Sequence, residues 1–134
     1  MYEKFGQFIN GKWQASSTNE TYEVINPANE EILGKASKAS SEDVDNALKA
    51  AEKGLEIWKK TPPWQRSYII RRIADKMREK QDVLAKWMTL EVGKPFAEAK
   101  GEVGAAADIF EWNAEETKRI YGQTVESRFE DTRV

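Results

Sequence analysis

Ser40-Ser41-Glu42-Asp43-Val44-Asp45-Asn46-Ala47-Leu48-Lys49-Ala50-Ala51 is where the chain changes its period. Ser40 and Asp43 have the spacing of a capping box, with the shorter Asp in place of the preferred Glu. From Val44 onward the apolar residues Ala47, Leu48, Ala51, Leu55 and Trp58 recur at helical spacing, so an amphipathic helix is predicted to begin here. Upstream the elements are short and extended. Phe8-Ile9 and Lys12-Trp13 flank Asn10-Gly11, the dipeptide that best tolerates the positive φ angles of a two-residue hairpin turn. Tyr22-Glu23-Val24-Ile25 reads as a strand stopped by Asn26-Pro27, and a further strand is expected from about Glu31 to Ala36.

Downstream the reading stays helical. Thr61-Pro62-Pro63 ends the first helix and opens a second, because proline fits a first helical turn but not an interior. Ile69, Ile70, Ile73 and Met77 are expected to face the core from that helix, and a third helix carries Val83, Leu84, Trp87 and Met88. Gly93 stands where a left-handed C-terminal cap is usual, and Pro95 starts a fourth helix predicted to run to Tyr121 before Gly122 stops it. Ala99, Gly101, Gly104, Ala105, Ala106 and Ala107 would let another backbone approach closely. Residues 123–134 alternate loosely and read as an extended strand without a partner after it, so the sequence reads as stopping in mid-architecture. The elements are segregated, β then α, with no βαβ repeat, which makes the fold class α+β: a hairpin or meander, about four helices and a terminal strand.

Composition narrows the chemistry. The 134 residues, 15.3 kDa, suit one domain or a piece of a larger one. Cysteine and histidine are both absent, so this chain builds no disulfide, zinc site, thiolate nucleophile or imidazole base, and no metal site is expected. Lys and Arg total 21 against 23 acids, leaving no overall basic field for nucleic acid or anionic membrane. The apolar share is 40%, but 15 of those residues are Ala and the mean hydropathy is -0.74. Nothing resembles a signal peptide or a membrane span, so the cytoplasm is the expected location.

Candidate motifs weaken on inspection. Gly101-x-x-Gly104 is half of a dinucleotide fingerprint, but it lies inside a helix with Ala99 at the first glycine position, so close packing is the expected role. Gly93-Lys94 invites a P-loop reading, yet Met88 occupies the upstream glycine position and Pro95 the magnesium-binding one. Arg66, Arg71, Arg72, Lys76, Arg78 and Lys80, offset by Asp75, Glu79 and Asp82, read as a solvated helix face with intrahelical ion pairs. A nucleic-acid adaptor would rest on that run alone and would need salt-sensitive binding. Glu111, Glu115 and Glu116 suggest an acid/base pair, but Lys118 and Arg119 follow at ion-pair spacing, and surface pairing is expected.

Several segments together resemble the N-terminal part of the aldehyde dehydrogenase superfamily. They are Phe8-Ile9-Asn10-Gly11-Lys12-Trp13, Val24-Ile25-Asn26-Pro27-Ala28 with Glu31 and Ile32-Leu33-Gly34, Ala47 to Trp58, Arg71-Arg72-Ile73-Ala74-Asp75, and Thr89-Leu90-Glu91-Val92-Gly93-Lys94-Pro95. Their order and spacing cover nearly the whole chain. Glu98 to Val103, Glu111 to Glu116 and Arg119-Ile120-Tyr121-Gly122 look most like the succinate-semialdehyde dehydrogenase branch.

The resemblance implies that the chain is an α+β fragment of an α/β enzyme that oxidises an aldehyde to a carboxylic acid. In that family a cysteine thiolate forms a thiohemiacetal, its hydride passes to NAD or NADP, and a glutamate-activated water hydrolyses the thioester. All those residues lie downstream of the matched region, so no catalytic or cofactor-binding residue is carried over and the fragment alone is expected to be inactive. The resemblance further implies an N-terminal β segment over 1–38 and a helical segment over 39–122 that would pack on an absent dinucleotide-binding domain. It implies the start of an oligomerisation hairpin over 123–134, with the rest of the subunit and a homo-oligomer as partners. By position, it puts Ala105 and Ile109 near the wall of the substrate entrance. The competing expectation is a stand-alone helical interaction module derived from that family. Either reading leaves apolar stripes that three short strands cannot cover.

Overall fold

Ser40 and Asp43 close both halves of the capping box: Asp43 N–H donates to Ser40 Oγ at 3.1 Å and Ser40 N–H donates to Asp43 Oδ2 at 2.9 Å. Two orphan donors are thereby satisfied, and the first helix, α1, runs Ser41–Trp58. A computed structural model describes residues 6–122, 128 and 130–132.

Before α1 lie four strands in two separate antiparallel pairs. β1 (Gln7–Ile9) pairs with β2 (Lys12–Gln14) in the register Phe8 opposite Trp13. Asn10 and Gly11, at φ 52° and 76°, supply the two left-handed residues that a tight hairpin with right-handed twist requires. The Phe8 and Trp13 rings stand 5.2 Å apart on one face. β3 (Thr21–Ile25) pairs with β4 (Ile32–Ser37), with a register shift between Val24 and Ile25. Asn26, buried just beyond the shift, accepts from Ala28 N–H and holds the turn. The expected meander is therefore two independent hairpins, because no strand of one pair bonds a strand of the other.

α2 spans Pro63–Glu79 and α3 Gln81–Val92, with Lys80 at φ -106°, ψ 17° bending the chain between them. Gly93 adopts φ 77° as the left-handed cap of α3 and rests against Pro27 of the β3–β4 loop. α4 covers Phe96–Glu116, and a single 3₁₀ turn follows at Thr117–Arg119. It ends short of the predicted Tyr121, at Thr117, whose backbone N–H and Oγ1 both donate to the Asn113 carbonyl. The strand expected over 123–134 lies for the most part outside the described residues. No described helix is long and apolar enough to cross a membrane.

The core lies between α2, α3 and α4, and it is made of small side chains. Ala74, Ala85, Ala99, Ala107 and Ala114 are fully buried and Val103 nearly so, while no large described side chain is fully buried. This corrects the expectation for α2. Ser67 and Ala74 are its buried residues, whereas Ile69 and Ile73 keep 45% and 41% of their surface. Each helical residue advances about 100°, so the face carrying Ile70 and Ala74 meets α4 and the neighbouring Ile69 and Ile73 are turned to its flank. Exposed apolar stripes were expected, and Val44, Leu48 and Leu55 on α1 are their clearest instance.

Candidate functional site

The richest polar constellation joins α2 to α4. Arg71 Nη1 donates to Glu111 Oε1 at 2.6 Å and its Nη2 donates to Glu115. Two turns on, Arg78 Nη2 donates to Glu111 Oε2 at 2.6 Å and Asp108 Oδ1 at 2.8 Å. Lys118 pairs with Glu115 at 2.6 Å and lies 5.0 Å from the Trp64 ring centre. Of these, Arg71, Asp108, Glu111 and Glu115 border a cleft of about 610 Å³ together with Trp112, Glu116 and Arg119.

The arrangement decides the chemistry of the three glutamates. Arg78, then Arg71, holds the Glu111 carboxyl below its ordinary 4.5, and Lys118, then Arg71, does the same for Glu115. Both are fully ionised at neutral pH with their lone pairs engaged by cations, so neither donates a proton nor competes well for one. Surface pairing holds as expected for Glu115 with Lys118 and Glu116 with Arg119. The basic run departs from expectation: Lys76 pairs within its helix with Glu79, but Arg71 and Arg78 pair across helices.

The N–H groups of the glycine motifs are already engaged. Gly101 and Gly104 sit inside α4, where their N–H groups belong to the helix ladder and are not free to cradle an anion. Gly104 meets Gln81 Nε2, whereas open space surrounds Gly101, so close packing explains one glycine and not the other. Gly93 N–H is used by the Thr89 carbonyl, and Lys94 pairs with Glu102. Neither glycine motif therefore presents free N–H groups to a dinucleotide phosphate. Among them, no group of three or more side chains is placed to hold a metal ion.

Ala105 and Ile109 share the face of α4 opposite Ala99, Val103, Ala107 and Ala114. Both are exposed, Ile109 by 63%, and Trp112 one turn later lies on the same side. A second apolar surface opens between α2 and α3. Ile69, Ile73, Met77 and Leu84 floor a groove of about 450 Å³, with Arg72, Lys76 and Lys80 along it.

Asp43 does more than the capping box foretold. The residue is only 3% exposed, and its carboxylate also accepts from Ser16 Oγ at 2.8 Å, Ser17 N–H at 3.1 Å and Gln7 Nε2 at 3.3 Å. These donors, with Ser40 foremost, hold its pKa far below the ordinary 3.8 against the opposing effect of burial. One side chain thus ties the first hairpin and its following loop to the start of α1. The sequence showed only the local half, since the other donors lie 26 to 36 residues away.

The aldehyde dehydrogenase family model matches residues 13–134. A glutarate-semialdehyde dehydrogenase of Pseudomonas putida is 43% identical over 127 residues, which cover 95% of this chain and 26% of that protein. The NADP-dependent succinate-semialdehyde dehydrogenase of Escherichia coli is 44% identical over 94% of this chain and 26% of its own length. The crystal structure of an NADP-dependent enzyme of Escherichia coli superposes with a TM-score of 0.90 at 44% identity, over 93% of this chain and 26% of that one. The chain spans about a quarter of the length of the curated relatives it matches, at their N-terminal end.

Proposed function

Because the chain belongs to the aldehyde dehydrogenase family, we propose that it is the N-terminal part of a subunit that oxidises a short carboxylate-bearing semialdehyde to the diacid with NAD or NADP. The single observation carrying this reading is identity above 40% along nearly the whole chain to succinate- and glutarate-semialdehyde dehydrogenases. The thiolate, the water-activating carboxylate and the dinucleotide site belong to residues outside this chain, which has no cysteine. Its own part is structural. Residues 39–122 pack on a dinucleotide-binding segment, residues 123–134 begin a hairpin through which subunits of a homo-oligomer meet, and the protein works in the cytoplasm.

The exposed apolar side chains of α1, α2 and α4 support that role, since such faces are what a neighbouring domain would cover. Ala105 and Ile109 border the substrate entrance. Their exposure on the face of α4 turned away from the helical core supports this assignment.

A chimera tests it directly. Residues 1–134 joined to the remaining three quarters of the Pseudomonas putida relative are expected to oxidise glutarate or succinate semialdehyde, read as NADH or NADPH absorbance, while the 134-residue chain alone yields neither. A soluble, folded chimera inactive on both aldehydes would refute the reading, and so would turnover by the isolated chain. In the same chimera Ile109→Trp is expected to raise KM for the semialdehyde several-fold with a smaller change in kcat, because a wall residue obstructs entry without touching the reacting atoms. An unchanged KM would remove Ile109 from the entrance.

A further inference from the structure

Around α4, at about 100° per residue, Ala105, Ile109 and Trp112 fall within about 60° of one another, and Asp108, Glu115 and Glu111 occupy the adjoining arc about 100–160° from Ile109. The acids gripped by α2 therefore flank the exposed face that carries Ala105 and Ile109. Trp112 belongs to both sides, since it shares that face with Ile109 and borders the same cleft as Arg71, Asp108 and Glu111. Given the reading that Ala105 and Ile109 border the substrate entrance, we infer that Glu111 is a positioning residue for it: held by Arg71 and Arg78, it fixes where the turn of α4 carrying Ile109 stands.

α4 is anchored at two levels. Its first half is tied to α3, where Gln81 Nε2 donates to the Lys100 carbonyl at 2.9 Å and Asp82 pairs with Lys100 at 2.7 Å. Its second half is bonded to α2 by Arg71, through Glu111 and Glu115, and by Arg78, through Glu111 and Asp108. Ile109 lies between Asp108 and Glu111 in that second half, about 14 Å of helix axis beyond Lys100. The anchor on α3 is remote from it and the anchor on α2 is adjacent. The buried residues at this level, Ala107 and Ala114, let the helices approach but carry little bulk to key them together.

Among the described acids of this contact, Glu111 alone receives both guanidiniums, one on each oxygen at 2.6 Å. Glu115 divides itself between Arg71 and Lys118, and Asp108 takes Arg78 with 75% of its side chain exposed. Glu111→Gln keeps the shape of the side chain, but its amide has one acceptor oxygen and turns N–H groups toward the second guanidinium.

Kinetics on the active chimera of this segment with the Pseudomonas putida relative test the assignment. Glu111→Gln is expected to raise KM for succinate semialdehyde about threefold or more while kcat stays within about twofold. Arg78→Lys, which replaces a planar fork by a point charge, is expected to act in the same direction and serves if the first variant does not fold. A residue that acts through Ile109 loses its effect when that side chain is gone, so in an Ile109→Ala background Glu111→Gln is expected to change KM by less than about 1.5-fold. An effect of equal size with and without the Ile109 side chain marks a general loosening of the fold and overturns the inference. So does an unchanged KM in the folded Glu111→Gln or Arg78→Lys enzyme while Ile109→Trp raises it, an outcome that leaves the entrance assignment standing. If Ile109→Trp leaves KM unchanged, the entrance assignment falls and the positioning role falls with it.

Discussion

Ala107→Leu is expected to cost the helical core about 1–3 kcal/mol, read as a lowered urea midpoint in far-ultraviolet circular dichroism. Ala107 is fully buried on α4, which runs antiparallel to α2 with Arg71 level with Glu111 and Glu115 and Arg78 level with Asp108. A leucine there has no cavity to enter and must push the helices apart or leave its rotamer. Against a total stability of about 5–15 kcal/mol for a typical domain, a loss at the upper end removes a large share. Ala105→Leu is the control: the same chemical change, two residues away on the exposed face of the same helix, is expected to stay within about 0.5 kcal/mol. Equal midpoints for the two variants would mean that α2 and α4 do not pack through their alanines.

Asp43→Asn is expected to free the first hairpin from α1. The native carboxylate accepts from Ser40, Ser16, Ser17 and Gln7 through two oxygens. An asparagine amide keeps one acceptor and turns an NH₂ group toward donors it cannot accept from. The amides of Ser17 and of the first turn of α1 should exchange with deuterium roughly tenfold faster or more, while those of Ala107 and Ala114 should be little changed. If the first turn of α1 stays as protected as before, Asp43 is not the clamp.

Acid should reproduce this loss. Folding lowers the Asp43 pKa below 3.8, so the folded state binds fewer protons than the unfolded one wherever the two differ. The stabilisation is therefore complete well above 3.8, fades as pH falls past that value and is gone below the folded pKa. Asp43→Asn should remove that part of the acid sensitivity. Glu111 and Glu115 are shifted the same way from 4.5, so acid loosening of the α2–α4 contact begins at slightly higher pH.

Local signals were legible in the sequence and distant ones were not. Asn10-Gly11 named its own turn and Ser40 with Asp43 named the start of α1, because the groups involved lie within four residues of each other. Gly93 marked its helix end for the same reason. Ile69 and Ile73 misled because periodicity identifies an apolar side of a helix but not which edge of that side meets another helix. Where two backbones come close, methyl groups are buried and larger side chains are displaced to the flanks. The pairing of Arg71 with Glu111 and Glu115 spans 40 and 44 residues, and intrahelical acids offered a nearer and misleading explanation for the basic run. Ala105 and Ile109 are proposed for the entrance from resemblance and exposure, since neither carries chemistry of its own that would mark a site.

Glu111 receives one guanidinium on each oxygen, Arg71 on Oε1 and Arg78 on Oε2. The alanine seam beneath it has shallow ridges, so two such helices could slide past one another with modest loss of packing. A slip of one turn, about 5.4 Å, would carry both arginines off the shared carboxylate at once. The buried methyls thus set how near α2 and α4 lie, and Glu111 works as a detent that fixes how far along each other they stand.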